Sequence, residues 1–349
     1  MSCSFALATV RMLLELSRTD SQDSQAPQFA GSLPNVYPMN ERVTPNPHFA
    51  EPAAVNAALQ KALEGRGDIL NAIPSIPAVL QTLIAELDQP ADRVNLARVA
   101  ELVGRDEALA AQCLRMANSA LYGLGTPADS LRGAVRTLGI AHMHDIAVSS
   151  SMMRVASTLK DVDPIVFWEH SLGCAILSRK LARIVGFHDP EKAYLAGLLH
   201  DLGYIVNFVL SPTRAKAALQ RGAKEGIFLG EVEYEEMGFT HCQSGELLAR
   251  KWKFSDDVVE VILCHHHPAA AVLDPALVAI VALADRVCRS SDLGLGYAEK
   301  PAPPEAWQAD WNLLASKCPM AGHVSWADFV KDSDVFFAEI RELVKAMYH

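Results

Sequence analysis

Seven histidine and aspartate residues are the side chains in this sequence best suited to bind metal ions. They lie between positions 165 and 290, in segments typical of helices or helix ends. Imidazole and carboxylate groups are common ligands of first-row metals, and a carboxylate can bridge two ions. Two ions held in this way acidify a shared water, which can then attack a phosphate ester. The seven residues are His170, His200, Asp201, His241, His265, His266 and Asp285.

Each of these residues also has an ordinary structural interpretation when it is taken alone. His170 lies on an amphipathic segment just after Trp168, where a histidine is more often a packing or surface residue. The run 265–267 would suit the end of a helix, where positive charge complements the helix dipole. Another pair, His144-Asp145, lies away from the matching spacing, and we interpret it as a helix start. The metal hypothesis therefore depends on the joint occurrence of the seven residues.

The composition of the chain is typical of a globular protein with reduced cysteines. Of 349 residues, 50% are hydrophobic and 21% charged, and the net charge is −10. This acidic balance argues against a nucleic-acid partner, because phosphate contacts need clustered lysine and arginine. The absence of long apolar runs or a leader pattern predicts no membrane span and no signal peptide.

The seven cysteines include no CxxC pair, so we expect a cytoplasmic location. Cys242 and Cys264, which flank candidate ligands, are interpreted as small buried hydrophobes.

Helical periodicity runs through most of the chain, and no stretch shows the alternation of a strand. Residues 20–53 are rich in Ser, Gln, Asn and Pro, which predicts a disordered or loosely attached segment. Residues 291–325 contain a proline cluster (Pro301, Pro303 and Pro304) and are predicted to be irregular. The predicted helices lie at about 54–64, 77–88, 96–103, 107–117, 131–138, 142–155, 166–185, 191–199, 212–223, 228–236, 242–252, 256–265, 275–290 and 326–347.

Two sets of motifs resemble the HDOD family, a signalling relative of the HD-domain phosphohydrolases. The first set is DEALAAQCLRMANSALYG (106–123) followed by LRGAVRTLGI (131–140). The second set comprises FWEHSLGCA, YLAGLLHDLGYIV, THCQSGELLARKW, VILCHHHP and ALADRV, in that order. The order, spacing and intervening apolar pattern all agree with the family over roughly residues 68–290.

The resemblance implies an all-α fold, in which an N-terminal helical subdomain packs on an HD-like helical bundle. It places an extension at 1–53, the HDOD domain at 68–290, divided into subdomains 68–160 and 161–290, and a C-terminal loop and helix at 291–349. The HD pattern further implies two divalent metal ions, for which Fe, Mn, Zn or Ni would suit the imidazole-rich ligands. His170, His200 and Asp285 would bind the first ion, His241, His265 and His266 the second, and Asp201 would bridge both.

The chain departs from the cyclic-di-GMP phosphodiesterase branch, HD-GYP, at three places. That branch has lysine in an HDxGK pattern, whereas this chain has Tyr204 there, as a low-ranking catalytic candidate beside Asp201. No GYP loop follows the histidine run, and Val166 stands where some members have a glutamate ligand. Cyclic-di-GMP hydrolysis is therefore not expected.

Two functions remain open at the level of sequence. The favoured one is a signal-transduction protein whose pocket binds metal with little or no turnover, acting on a protein partner or a small phosphorylated ligand. The alternative is a phosphohydrolase that acts on a nucleotide or phosphomonoester. The complete ligand set favours the enzyme, and the missing lysine favours the signalling protein. The oligomeric state stays open.

Overall fold

The part of the chain that the structure describes is helical, and no strand occurs in it, as the sequence predicts. This computed structural model describes residues 93–105, 107–119, 128–136, 163–291 and 304–348, with isolated positions between 82 and 149 and at 293–294. The expectations for 1–53 and for His144-Asp145 lie outside the described residues. The α-helices, numbered here in chain order, are α1 (Leu96–Gly104), α2 (Glu107–Ala117), α3 (Pro164–Ile184), α4 (Pro190–Leu199), α5 (Gly203–Leu210), α6 (Pro212–Glu225), α7 (Leu229–Met237), α8 (His241–Lys251), α9 (Asp256–Cys264), α10 (Pro275–Ser290), α11 (Pro304–Lys317) and α12 (Trp326–Tyr348).

Helices α3 and α10 form the centre of the bundle. Both bury residues on nearly every side, as expected for helices surrounded by other helices. Helix α4 packs along α3, α10 packs on α3 from another side, and α12 covers α3. Helix α5 crosses α8, and α9 contacts both α8 and α10. The helices that carry the candidate ligands therefore pack directly on one another.

Three of these ligand-bearing helices begin at an Asp-Pro pair. The aspartate side chain caps the first turn by accepting a backbone N–H, and the proline suits the first helical position because its missing N–H would be unpaired there anyway. The pairs are Asp163-Pro164 for α3, Asp189-Pro190 for α4 and Asp274-Pro275 for α10. Each pair fixes where its helix starts, and so fixes the rotational position of the ligands further along it.

The region 291–325 is not irregular throughout, which corrects the sequence-based expectation. Its described residues include the 14-residue helix α11 and a short 3₁₀ helix, Pro319–His323. Pro304 is the first residue of α11, a position where proline is compatible with a helix. The proline cluster therefore marks a helix start. The sequence-based helices also omitted α5, which follows the HD pair after a short turn.

The end of α2 is fixed by side-chain hydrogen bonds from Asn118 and Ser119. The Asn118 amide nitrogen donates to the Ala128 carbonyl at 3.1 Å, and the Ala128 N–H donates back to the Asn118 oxygen at 2.7 Å. Ser119 Oγ donates to the Met116 carbonyl at 2.8 Å. Asn118 thereby joins the two ends of the connection between α2 and the next helical segment.

One described stretch, Pro190–Leu210, is long and apolar enough to cross a membrane by length and composition alone. Its most apolar window is 89% buried inside the fold. It comprises α4, the turn at the HD pair and α5, so its apolar character is that of a core element.

Candidate metal centre

The fold brings all seven predicted ligands together from five helices. His170 lies in the second turn of α3, and Asp285 lies in the last half of α10. The other five residues are at helix ends, where the chain leaves or enters a helix. His200 and Asp201 follow α4, His241 begins α8, and His265 and His266 follow α9.

Asp201 is at the middle of the cluster, with one carboxylate oxygen directed to each side. Oδ2 lies 3.2 Å from His170 Nε2 and 3.3 Å from His200 Nε2. Oδ1 lies 3.5 Å from His265 Nε2 and 3.6 Å from His241 Nε2. This is the arrangement of a carboxylate that bridges two ions.

The remaining contacts divide the donors into two groups that share Asp201. In the first subsite, His170 Nε2 lies 3.2 Å from both His200 Nε2 and Asp285 Oδ1. In the second subsite, His241 Nε2 lies 3.0 Å from His266 Nε2, and His265 completes the group. The division into these two groups is the one that the resemblance to the HD pattern implies.

Four of the histidines have their second ring nitrogen occupied by an acceptor outside the cluster. His170 Nδ1 lies 2.6 Å from the Leu293 carbonyl, and His200 Nδ1 lies 2.8 Å from the Gly197 carbonyl. His265 Nδ1 lies 3.0 Å from the Ile262 carbonyl. An acceptor at Nδ1 places the proton there and leaves the Nε2 lone pair facing the centre, which is the usual arrangement of metal-bound histidine.

Glu233 on α7 provides the corresponding acceptor for His241, and the sequence analysis missed it. Its Oε2 lies 2.6 Å from His241 Nδ1 and accepts the His241 backbone N–H at 2.8 Å. Its Oε1 accepts from Asn207 Nδ2 at 2.9 Å, and Ser244 Oγ donates to Asn207 Oδ1 at 2.6 Å. Nothing in the acidic pattern of α7 distinguishes this glutamate from its neighbours, because only the packing of α7 on α8 brings it to the histidine.

The centre is deeply buried and contains polar atoms that a metal ion would satisfy. Six of the seven donors are at most 3% exposed, and the His266 side chain is 10% exposed. Among the described residues, neither Asp201 oxygen nor His265 Nε2 has a hydrogen bond of good geometry. Buried polar atoms without partners are costly, and coordination to a cation removes that cost. The donor set therefore fits divalent metal ions.

The charges at the centre compensate one another. Burial alone would lower the pKa of His200, but the adjacent Asp201 carboxylate raises it to about 10. Burial would raise the pKa of Asp201, yet His200 and the neighbouring histidines hold it well below its usual range. The pKa of His265 falls to about 4, because burial disfavours the imidazolium. His265 is therefore neutral at pH 7, which is the form that binds metal, whereas His200 is protonated at pH 7 and would release its Nε2 proton on binding a metal ion.

The cation nearest the two aspartates is Arg289, which the sequence analysis also missed. Its Nε donates to Asp285 Oδ1 at 2.7 Å, and its Nη2 lies 3.7 Å from Asp201 Oδ2. The i,i+4 spacing of Asp285 and Arg289 on α10 is a sequence signal that would have identified this pair. Tyr204, at the position of the HD-GYP lysine, stacks its ring on His241 with centroids 4.4 Å apart and planes at 12°.

Comparisons with known proteins agree with this architecture. The HDOD domain family matches residues 73–268. A solved HDOD domain protein of unknown function from Geobacter sulfurreducens has 26% sequence identity and a TM-score of 0.72, covering 84% of this chain and 98% of that one. A candidate signal transduction protein from Marinobacter aquaeolei VT8 has 21% identity and a TM-score of 0.68, covering 88% of this chain and 68% of that one.

A candidate phosphohydrolase from Shewanella amazonensis SB2B shares the fold, at 23% identity and a TM-score of 0.63, and covers 83% of this chain and 98% of that one. An uncharacterized protein of Treponema pallidum (strain Nichols) is 25% identical over 236 residues, or 67% of this chain. Those residues are 45% of the relative, so the chain spans less than half of its length. The family match extends over more than half of this chain and includes six of the seven clustered donors, all but Asp285, and Tyr204. The chain belongs to the HDOD family.

Proposed function

We propose that this protein is an HDOD-type regulatory protein that holds divalent metal ions in an HD-like pocket, with little or no catalytic turnover. The observation that carries the proposal is the buried donor cluster around Asp201. A hydrolase needs metal positions that stay open to water and substrate. Among the described residues of the cluster, only His266 and Arg289 have side chains more than 5% exposed, at 10% and 13%. Such a site suits a metal that stabilises or signals a conformation.

The lack of a lysine beside the HD pair supports low turnover. Tyr204 is neutral at pH 7, and its ring is packed against His241. Arg289 supplies a positive charge, but its Nε is engaged with Asp285.

A cavity of about 630 Å³ lies between α2 and α12, and none of the seven donors lines it. The proposed output is a contact with a signalling protein, or the binding of a small phosphorylated ligand, in the cytoplasm.

A second candidate function is phosphoester hydrolysis on a nucleotide or phosphomonoester. It is favoured by the bridging position of Asp201, whose two oxygens face different groups of histidines. Two ions in these positions would activate a bridging water. Arg289 would then be the residue available to stabilise negative charge on phosphate.

Metal analysis tests the shared part of both functions. Wild-type protein and a variant carrying His200→Ala and Asp201→Ala are purified without an affinity tag, and their Fe, Mn, Zn and Ni contents are measured. The wild type is expected to hold metal, and the double variant is expected to lose most of it, because Asp201 contributes to both subsites. Equal metal content in the two proteins would contradict both functions.

Turnover of the metal-loaded protein separates the two functions. Cyclic dinucleotides, nucleotides and p-nitrophenyl phosphate are tested in reducing buffer with added manganese or iron. We expect no cyclic-di-GMP hydrolysis and at most slow turnover of the others. Removing one well-placed charge stabiliser costs about 10²- to 10³-fold in rate, so Tyr204→Lys is expected to raise any weak activity. Turnover above about 1 s⁻¹ that Asp201→Ala abolishes would establish the enzyme instead.

A further inference from the structure

A thiol lies against the first subsite. Cys174 follows His170 by one turn on α3 and is fully buried. Its Sγ is 3.8 Å from His170 Nε2. The Sγ, the two histidine nitrogens and an Asp285 oxygen all lie within 4.8 Å of one another. Cys174 is thus in contact with the proposed ligands.

The distances among these donors match the edges of a metal coordination sphere. With Zn–N near 2.0–2.1 Å and Zn–S near 2.3 Å, tetrahedral geometry places two nitrogens about 3.3 Å apart and nitrogen and sulfur about 3.6 Å apart. The observed separations are 3.2 Å for His170 Nε2 to His200 Nε2 and 3.8 Å for Cys174 Sγ to His170 Nε2. Asp285 Oδ1 lies 3.2 Å from His170 Nε2 and 3.7 Å from His200 Nε2.

We propose that Cys174 is a thiolate ligand of the ion in the first subsite and fills the position that a catalytic water would occupy there. The inference rests on the proposed function, because it requires that the pocket binds metal. On binding, the sulfur donates an electron pair to the ion and the thiol proton passes to solvent, with no change of oxidation state. With His170, His200 and Asp285, whose ligand atoms and the Cys174 Sγ all lie within 4.8 Å of one another, the ion would have four protein ligands, the number in a closed zinc site.

A thiolate also narrows the choice of metal. Soft sulfur ligands favour zinc, iron and cobalt over manganese and magnesium, which prefer oxygen. The first subsite is therefore selective for thiophilic ions. A closed coordination sphere is the property of structural zinc sites, in contrast to catalytic sites that keep one position open. Cys174 thus gives a chemical reason for low turnover that is independent of the missing lysine.

Cobalt substitution tests the thiolate directly. Metal-free protein is titrated with Co²⁺ under reducing, anaerobic conditions, and the sulfur-to-cobalt charge-transfer band in the near ultraviolet is recorded. The wild type is expected to develop this band, and Cys174→Ser is expected to lose it while still binding cobalt. Cys113→Ser is the matched control, because Cys113 is equally buried but lies on α2, away from the ligands. It is expected to keep the band.

A second thiol, Cys242, belongs to the donor group of the second subsite, so Cys242→Ser is titrated in parallel. A band that survives Cys174→Ser and disappears in Cys242→Ser overturns the proposal. Wild-type protein that binds cobalt without developing the charge-transfer band also overturns the proposal. This result does not depend on whether any variant folds. In either case the metal-binding function stands. A wild type that binds no cobalt, zinc or iron defeats the proposed function and the inference together.

Zinc affinity provides an independent readout. Competition with a chromophoric chelator is expected to show at least about a 10-fold weaker first site in Cys174→Ser, since loss of even an outer-shell partner costs that much. Manganese affinity is expected to change less, because manganese gains little from sulfur. Equal losses for both metals would contradict a thiolate ligand.

Discussion

At the scale of single residues, the centre depends on groups that hold the ligands in place as well as on the ligands themselves. Four histidines have Nδ1 beside an acceptor, three of them backbone carbonyls and one the carboxylate of Glu233. A backbone acceptor cannot be removed by substitution, whereas Glu233 can. Of these four Nδ1 acceptors, Glu233 is therefore the one whose contribution to metal binding can be tested by substitution.

Glu233→Gln is expected to weaken metal binding at the second subsite by about 10- to 100-fold, the usual effect of losing a charged partner behind a ligating histidine. The amide keeps the size of the side chain but loses the charge that orients His241. Glu235→Gln is the control, because Glu235 is on the same helix but its side chain is 58% exposed and pairs with Arg221. Metal affinities are compared by calorimetric titration. Equal affinities in the two variants would refute the role of Glu233.

At the scale of helices, the close crossing of α5 and α8 sets the distance between the two halves of the site. Gly203 lies two residues after Asp201 and touches the backbone of α8 next to His241. A methyl group at Gly203 would overlap the His241 carbonyl oxygen, and Gly245 faces it across the crossing. The glycine in the HDLG motif is therefore required by packing between backbones.

Gly203→Ala is expected to destabilise the fold by about 3 kcal/mol or more, because the overlapping atom belongs to a helix backbone that cannot move aside. Gly322→Ala is the matched control, since an added methyl there meets no atom within 4 Å. Denaturant unfolding followed by circular dichroism measures both variants. A Gly203→Ala protein as stable as Gly322→Ala would contradict the close crossing.

The junction of α3 and α4 predicts a dependence of stability on pH. Burial raises the pKa of Glu191, but the charges of Arg179 and Arg183 outweigh burial and hold it below its usual value. A carboxylate with a lowered pKa stabilises the fold above its unfolded pKa and loses that contribution as pH falls. Glu191→Gln is expected to cost less than about 1 kcal/mol at pH 7, because the Glu191 side chain is 35% exposed.

The difference between Glu191→Gln and wild type is expected to shrink as the pH is lowered through about 4.5, the usual pKa of the carboxyl group. Thermal unfolding of both proteins at about pH 7 and about pH 3.5 measures this change. A difference that stays constant over this range would show that the ion pairs with Arg179 and Arg183 do not stabilise the fold.

At the scale of the whole molecule, the metal would link parts of the chain that are far apart in sequence. The donors come from α3, the end of α4, α8, the end of α9, and α10. These helices make up most of the HD-like bundle. Binding energy at the centre therefore acts on the stability of the entire bundle, which is how a metal-dependent conformation could reach a signalling partner.

Metal addition is expected to raise the unfolding temperature of the wild type, since a ligand that binds only the folded state adds about 2.7 kcal/mol at 100 times its Kd. The variant with His200→Ala and Asp201→Ala is expected to show little response. Scanning calorimetry with zinc, iron(II) or manganese, each against a chelator control, measures the shift. An equal shift in both proteins would place the metal elsewhere.

The amino-acid sequence by itself indicated the helical class and named the seven residues that the fold brings together. Helical periodicity identifies amphipathic helices, and the order and spacing of the HD motifs match those of the family. The helices and the motifs can therefore be recognised without coordinates. The Asp-Pro starts of α3, α4 and α10 are likewise local signals. The limits of α10 and α2 agree residue for residue with the sequence-based helices.

Only the tertiary structure decided which groups surround those donors. Glu233 lies beside the centre because of helix packing, which the local sequence pattern does not encode, whereas Arg289 and Cys174 each follow a donor by four residues on the same helix. Helix α11 was missed because a proline cluster suggests a loop. In the fold, Pro304 begins this helix, and the helix packs on α10. The residues around the donors act on metal-binding atoms that come from five different helices, so their roles appear only when the chain is folded.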